Sequence, residues 1–184
     1  MRPGVDVDTH AAAAWEIAGI LFILGIGSLL HFVFEWSGGS PFVAPFAAVN
    51  ESVWEHLKLA FWLAAVWMLL ERGSLKTRVN NFRLAKSLGV ALMPLLIVAL
   101  YYFYVFLLGE HVFFLDIAIF VVAVLAGQYL SYRLMTGDER SPTANLIAPA
   151  LLIALAVLFV VFTFAPPHVG LFRDGPTGTY GIVR

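Results

Sequence analysis

Residues 11–34 read AAAAWEIAGILFILGIGSLLHFVF, a run whose only ionisable side chains are Glu16 and His31. At about 1.5 Å of rise per residue, a helix of this length crosses the ~30 Å hydrocarbon core of a bilayer. The run is too long for the apolar stretch of a signal peptide. It also lacks a charged leader and a clear small-residue cleavage site, so it is expected to be retained as a membrane helix.

Four more apolar segments follow between the charges: Leu57–Leu70, Leu88–Leu108, Val112–Tyr129 and Leu146–Phe164. The expected spans are about 11–34, 52–71, 88–108, 112–134 and 144–165, in a single membrane domain covering 1–184 with a tail at 166–184. Composition agrees: of 184 residues 61% are hydrophobic and 12% charged, against roughly 45–50% and about 25% in soluble domains. That balance excludes a water-soluble globule. A net charge of -1 leaves no basic surplus for phosphates, which excludes nucleic acid as a partner. The absence of cysteine excludes disulfides and thiolate chemistry.

Orientation follows from the basic residues, which resist translocation. Arg72, Lys76, Arg78, Arg83 and Lys86 lie in the 72–86 connection, and Arg133 and Arg140 flank the next one on the same side. Five spans then place the N-terminus, with Arg2, inside and the C-terminus outside. Only Lys58, Arg173 and Arg184 fall outside. The expected fold is thus an all-α, polytopic membrane helix bundle of five transmembrane helices, in a cell membrane of the bacterial inner-membrane type. Ser52-Val-Trp-Glu55 has capping-box spacing, Ser141-Pro142 opens the fifth segment, and Pro166-Pro167 closes it. Trp15, Trp36 and Trp54 are expected at the interfaces.

The second segment is the exception. It reaches a spanning length only if its helix starts near Ser52, which draws Glu55 and His56 to the membrane edge or into it. Under this topology His31, His56, His111 and His168 all fall on the outer side, with Glu35, Glu51, Glu55, Glu110, Asp116 and Asp174. Imidazoles and carboxylates together are the ligand chemistry of zinc and similar divalent ions. His31 and Glu35 are i,i+4 on one helix face, and Glu51 and Glu55 have the same spacing if the second helix begins early. His31, Glu35, Glu51 and His56 are therefore the candidate metal ligands. Glu55, Asp116 and Lys58 are the candidate catalytic groups, because a carboxylate at membrane depth is costly unless paired or functional. The plainer roles are capping for Ser52, snorkelling or pairing with Glu55 for Lys58, and interhelical polar contacts for Glu16 and Gln128. The tail has turn chemistry at Asp174-Gly-Pro and Thr177-Gly. It is expected to fold over the outer mouth and bring His168 or Asp174 toward the cluster.

The stretch Phe46, then Asn50-Glu-Ser-Val-Trp-Glu-His-Leu-Lys-Leu59, resembles an uncharacterised bacterial family of small multi-pass membrane proteins with a domain of unknown function. The resemblance extends through His31-Phe-Val-Phe-Glu35-Trp-Ser-Gly, Leu115-Asp116-Ile117, Gly127-Gln128 and the tail from Phe164 through Asp174 to Gly181. It implies a helical membrane fold and supplies no activity; Asn50 joins the candidate residues through it. The residues themselves favour an outward-facing, metal-dependent hydrolase acting on a lipid or other amphiphile. The alternatives are a small transporter or ion-binding protein using the same carboxylates as a relay, and a non-catalytic assembly subunit. Small size and the lack of a repeat argue against a self-contained transporter but leave a homo-oligomer able to form a pathway.

Overall fold

A computed structural model describes residues 7–182. The chain forms α1 (Thr9–Trp36), α2 (Val53–Leu75), α3 (Phe82–Leu108), α4 (Phe113–Thr136), α5 (Pro142–Ile147) and α6 (Pro149–Phe164), then a 3₁₀ turn at Gly170–Phe172. The short α5 and α6 form one spanning unit, interrupted at Ala148 where Pro149 cannot donate to the preceding turn. Among the described residues there are thus five helices long and apolar enough to cross a membrane. Among the described residues there is no strand, only an isolated antiparallel bridge between Arg173 and Tyr180. A bundle of helices satisfies its backbone internally, which lipid requires.

Helix α2 is the centre. Half of its apolar stretch is buried by protein, against 17% to 28% for the other four spans. A helix surrounded by protein faces little lipid and can carry polar groups that a lipid-facing helix cannot. This explains why the least apolar span is the one that holds Glu55, Lys58 and Glu71, all of them buried.

The α3–α4 interface is made by small residues. A Cβ added at Gly89 would lie 2.6 Å from the Gly127 carbonyl oxygen, and one at Gly127 would lie 2.6 Å from that of Gly89. The two backbones touch because neither residue has a side chain, the usual route to tight helix pairing in lipid. Pro94 lies within α3 without ending it, as membrane helices allow when neighbours compensate the lost hydrogen bond.

Three expectations need correction. Lys86 belongs to α3, not to a loop, and is buried; the helix starts at Phe82 and turns Lys86 to the same side as Val90 and Met93. Trp54 is buried rather than interfacial, packed on Phe159, Phe162 and Phe172 at centroid distances of 4.8, 5.5 and 4.8 Å. The capping box is only half formed. Ser52 Oγ accepts from the Glu55 N–H at 3.4 Å, but Glu55 Oε2 accepts from the Val49 N–H and the Ser52 N–H donates to Asn50 Oδ1. Glu55 is drawn away from the cap by Lys58.

Gly127→Leu is expected to force α3 and α4 apart and to destabilise the protein by about 1–3 kcal/mol or more. Thermal unfolding in detergent measures this, and an unchanged midpoint would show that the backbones are free to separate.

Candidate metal centre

The site is built on the start of α2. Ser52 caps the helix, and the residue before it, Glu51, is held by its own backbone: the Glu51 N–H donates to Asp174 Oδ1 at 2.8 Å. Asp174 is fixed in turn by the N–H and hydroxyl of Thr177. Burial acts to raise the Asp174 pKa, but the hydrogen bonds from Thr177 and Glu51 outweigh it and hold the carboxyl below its ordinary value. Next to Glu51, Asn50 Nδ2 donates to the Gly181 carbonyl at 2.8 Å. The tail therefore closes over this end of the bundle and is tied to it at two successive residues, while Phe172 is packed on Trp54.

With the loop so held, Glu51 meets two histidines. Glu51 Oε2 lies 3.5 Å from His31 Nε2 and 3.4 Å from His56 Nε2, and the two Nε2 atoms are 3.2 Å apart. The facing imidazoles hold the Glu51 carboxyl well below the usual carboxylate range. His56 Nδ1 donates to the Ser52 carbonyl at 2.8 Å. A carbonyl only accepts, so Nδ1 carries a proton, and Nε2 is the nitrogen that would bind an ion once it is free of its own proton. That backbone bond is the outer-shell partner that orients a ligating histidine. Around a tetrahedral ion with bonds of about 2.0–2.1 Å, neighbouring ligand atoms are spaced about 3.3–3.4 Å apart. The three observed separations bracket that edge. Glu51 is half exposed, so the side facing solvent is open for a further ligand.

The other candidates are distributed differently. Glu35 lies one turn beyond His31, is exposed, and stands outside the three-atom set. Glu55 and Lys58 are turned inward as a contacting ion pair with almost no exposure. Lys58 Nζ also donates to the Ala44 carbonyl at 2.8 Å and to Thr163 Oγ1 at 3.0 Å. Asp116 accepts from the Tyr104 hydroxyl and lies 3.8 Å from His111 Nδ1, a separate group between α3 and α4. His168 stacks on Tyr180 with centroids 4.6 Å apart.

Sequence reasoning missed one polar centre. Glu16, Glu71 and Lys86 meet at the opposite end of the bundle, with Lys86 Nζ 2.5 Å from an oxygen of each carboxyl. The available signal was helical phase. Lys86 continues the buried stripe of Phe82, Gly89, Val90 and Met93, whereas Arg83 falls on the exposed face.

Lys58→Met leaves the Glu55 carboxylate without a partner in an apolar interior, with an expected cost of about 3–5 kcal/mol. Lys58→Met combined with Glu55→Gln is expected to recover much of that loss. A double-mutant cycle by denaturant unfolding reads the coupling, and additive losses would show that the two charges do not depend on each other.

No curated protein and no solved structure matches the chain significantly. A family model does match, over residues 6–182, and by that match across nearly its whole length the chain belongs to the family of unknown function DUF6512.

Proposed function

We propose that this integral membrane protein is a metal-dependent hydrolase acting at the membrane surface, with His31, His56 and Glu51 as the ligands of a divalent ion such as zinc. The carrying observation is the near-tetrahedral spacing of three ligand atoms, 3.2, 3.4 and 3.5 Å apart, with one side open. Two histidines and one carboxylate with an open position is the ligand set of catalytic rather than structural zinc. An ion held by these three residues would lower the pKa of its bound water toward about 7 and so would supply a nucleophile at neutral pH. Glu35, on the His31 face of α1 and free of the ligand set, is the carboxylate available to take the proton. Glu55 and Lys58 have a positioning role in this scheme, holding the start of α2 from within.

The substrate class follows from place. The cluster sits at the end of apolar helices, where a headgroup ester or amide of an amphiphile meets water. A cavity of about 700 Å³ opens nearby, lined by Phe34, Pro41, Thr163, Phe164 and Tyr180 among others. Phe34 is one turn beyond His31 on α1, so the cavity adjoins the cluster, although none of the three proposed ligands lines it.

Elemental analysis of detergent-purified protein tests the ion. About one equivalent per chain is expected, lost in His31→Ala, His56→Ala and Glu51→Gln. A metal-free wild type, or metal retained in all three variants, would overturn the site. Turnover of a short-chain ester lipid tests the reaction: Glu35→Gln is expected to keep the metal and lose at least tenfold in kcat, and a metal-loaded protein that hydrolyses no ester or amide amphiphile would sink the hydrolase reading.

The pH dependence has a definite sign. Glu51 has a depressed pKa, so it stays ionised through the weakly acid range and does not compete for protons there. The imidazoles do compete. Metal affinity is expected to fall as the pH is lowered, by up to about a hundredfold per pH unit, because each ligand nitrogen must be free of its proton to bind the ion. Isothermal titration with zinc over roughly pH 5.5 to pH 8 measures the slope, and a flat profile would show that the histidines are not ligands.

A further inference from the structure

The centre at the other end of the bundle has a charge imbalance. Glu16 on α1, Glu71 on α2 and Lys86 on α3 are 4%, 0% and 2% exposed. Two carboxyls thus share one ammonium in a site closed to water, and α4 completes the enclosure with Gln128 and Ser131, both buried and uncharged. Gln128 Nε2 lies 3.4 Å from the Glu16 backbone carbonyl, not from either carboxyl. The charged groups on adjoining turns, His10 of α1, Arg72 of α2, Arg83 of α3 and Arg133 of α4, are all exposed, and Tyr132 of α4, half-buried, is an uncharged phenol. Trp67 Nε1 donates to the Trp15 carbonyl at 3.1 Å and lies beside the Glu71 carboxyl, but it is a neutral donor and leaves the charge uncompensated. With both carboxyls ionised the site would carry one uncompensated negative charge, which a low-dielectric interior penalises severely.

The hydrogen-bond inventory has the same gap. Glu16 Oε2 and Glu71 Oε2 are buried without a donor at hydrogen-bond geometry, and the fully buried Ser131 hydroxyl lies beside the Glu16 carboxyl without closing a hydrogen bond to it. Four carboxyl oxygens thus face a single ammonium, with only the neutral Ser131 hydroxyl and Trp67 N–H beside them. One further positive, donating ligand would correct both charge and hydrogen bonding, and a proton is the only such ligand that needs no added volume.

We propose that Glu16, Lys86 and Glu71 form a proton-binding site in the membrane-spanning bundle, in which the two carboxyls hold one exchangeable proton between them at neutral pH. Two carboxyls in contact with a common group cannot both ionise freely and titrate as a pair. The step is a simple one: a carboxylate oxygen takes a proton from the aqueous phase, an O–H bond forms, and the net charge of the triad goes from -1 to zero. Glu71 is one turn from the end of α2 and Lys86 one turn from the start of α3, so the proton reaches the site from the end bearing the basic loops. This site is independent of the histidine cluster and of the hydrolase reading.

Infrared spectroscopy of the full-length protein in lipid nanodiscs tests the proposal. The wild type at pH 7 is expected to show the carbonyl stretch of a buried, protonated carboxylic acid, shifting on transfer to D₂O. Glu16→Gln and Glu71→Gln, each of which removes the excess charge, are expected to abolish that band. Because one carboxyl is already neutral, either variant is expected to move Tm by no more than about 4 °C, whereas Lys86→Met is expected to lower it further. Should a variant fail to fold, the wild-type band and its loss on raising the pH still decide the matter. Absence of the band in the wild type, its persistence in both glutamine variants, or a Tm that rises with sodium or potassium but not with choline would overturn the proposal, the last in favour of a metal-cation site.

Discussion

An ammonium group with no access to water must find acceptors inside the protein, and Lys58 finds them on three separate parts of the chain. It contacts Glu55 on its own helix, the Ala44 carbonyl in the loop after α1, and Thr163 at the end of α6. Each of these acceptors is fixed because losing it would leave a buried charge uncompensated, a penalty of several kcal/mol. The start of α2, the α1–α2 loop and the last turn of α6 are thereby held together at one point. His56 directly follows Glu55, and Glu51 lies four residues before Glu55, so the position of the candidate metal ligands is inherited from Lys58.

The rest of that end is organised around the same point. Glu55 reaches the Val49 N–H and shapes the loop that leads into Glu51. The tail adds Asp174 and Gly181 as acceptors for Glu51 and Asn50, and Phe172 as a cover for Trp54. Polar groups that would be costly in lipid are satisfied by one another. This is why a helix poor in apolar residues is tolerated: α2 is the most buried of the spans, and its buried charges face partners. The opposite end repeats the arrangement with Lys86 at its centre but with one carboxyl too many, and the two ends differ in chemistry for that reason.

Much was legible from residue type and spacing. The length of the apolar runs implied five helices, and the density of ionisable groups at 50–58 marked where the candidate site would be. The pairing of Glu55 with Lys58 at i,i+3 follows from helix geometry alone. Other features depended on contacts between distant residues. Nothing in the sequence around His31 indicates that its partner is Glu51 rather than Glu35, because the i,i+4 neighbour lies on the same helix face while Glu51 approaches across a loop. Asp116 and Tyr104 found each other between α3 and α4, away from the cluster that their shared side of the membrane suggested. Glu71 and Lys86 were hidden because a charge at the end of an apolar run ordinarily belongs to a loop, and only the extension of α2 and α3 beyond those runs turns both inward.

The sequence by itself determined that this is a membrane helix bundle, since apolar length and the lack of water in lipid leave the backbone no other solution. It also determined which end is rich in imidazole and carboxylate. The tertiary structure alone decided which of those groups meet. Separations of about 3 Å between residues 20 or 25 positions apart depend on how helices pack, on the Gly89–Gly127 contact that brings α3 and α4 together, and on the buried lysines that fix α2 among its neighbours. Spacing along one helix constrains only what lies on that helix, and both polar centres of this protein are assembled from several.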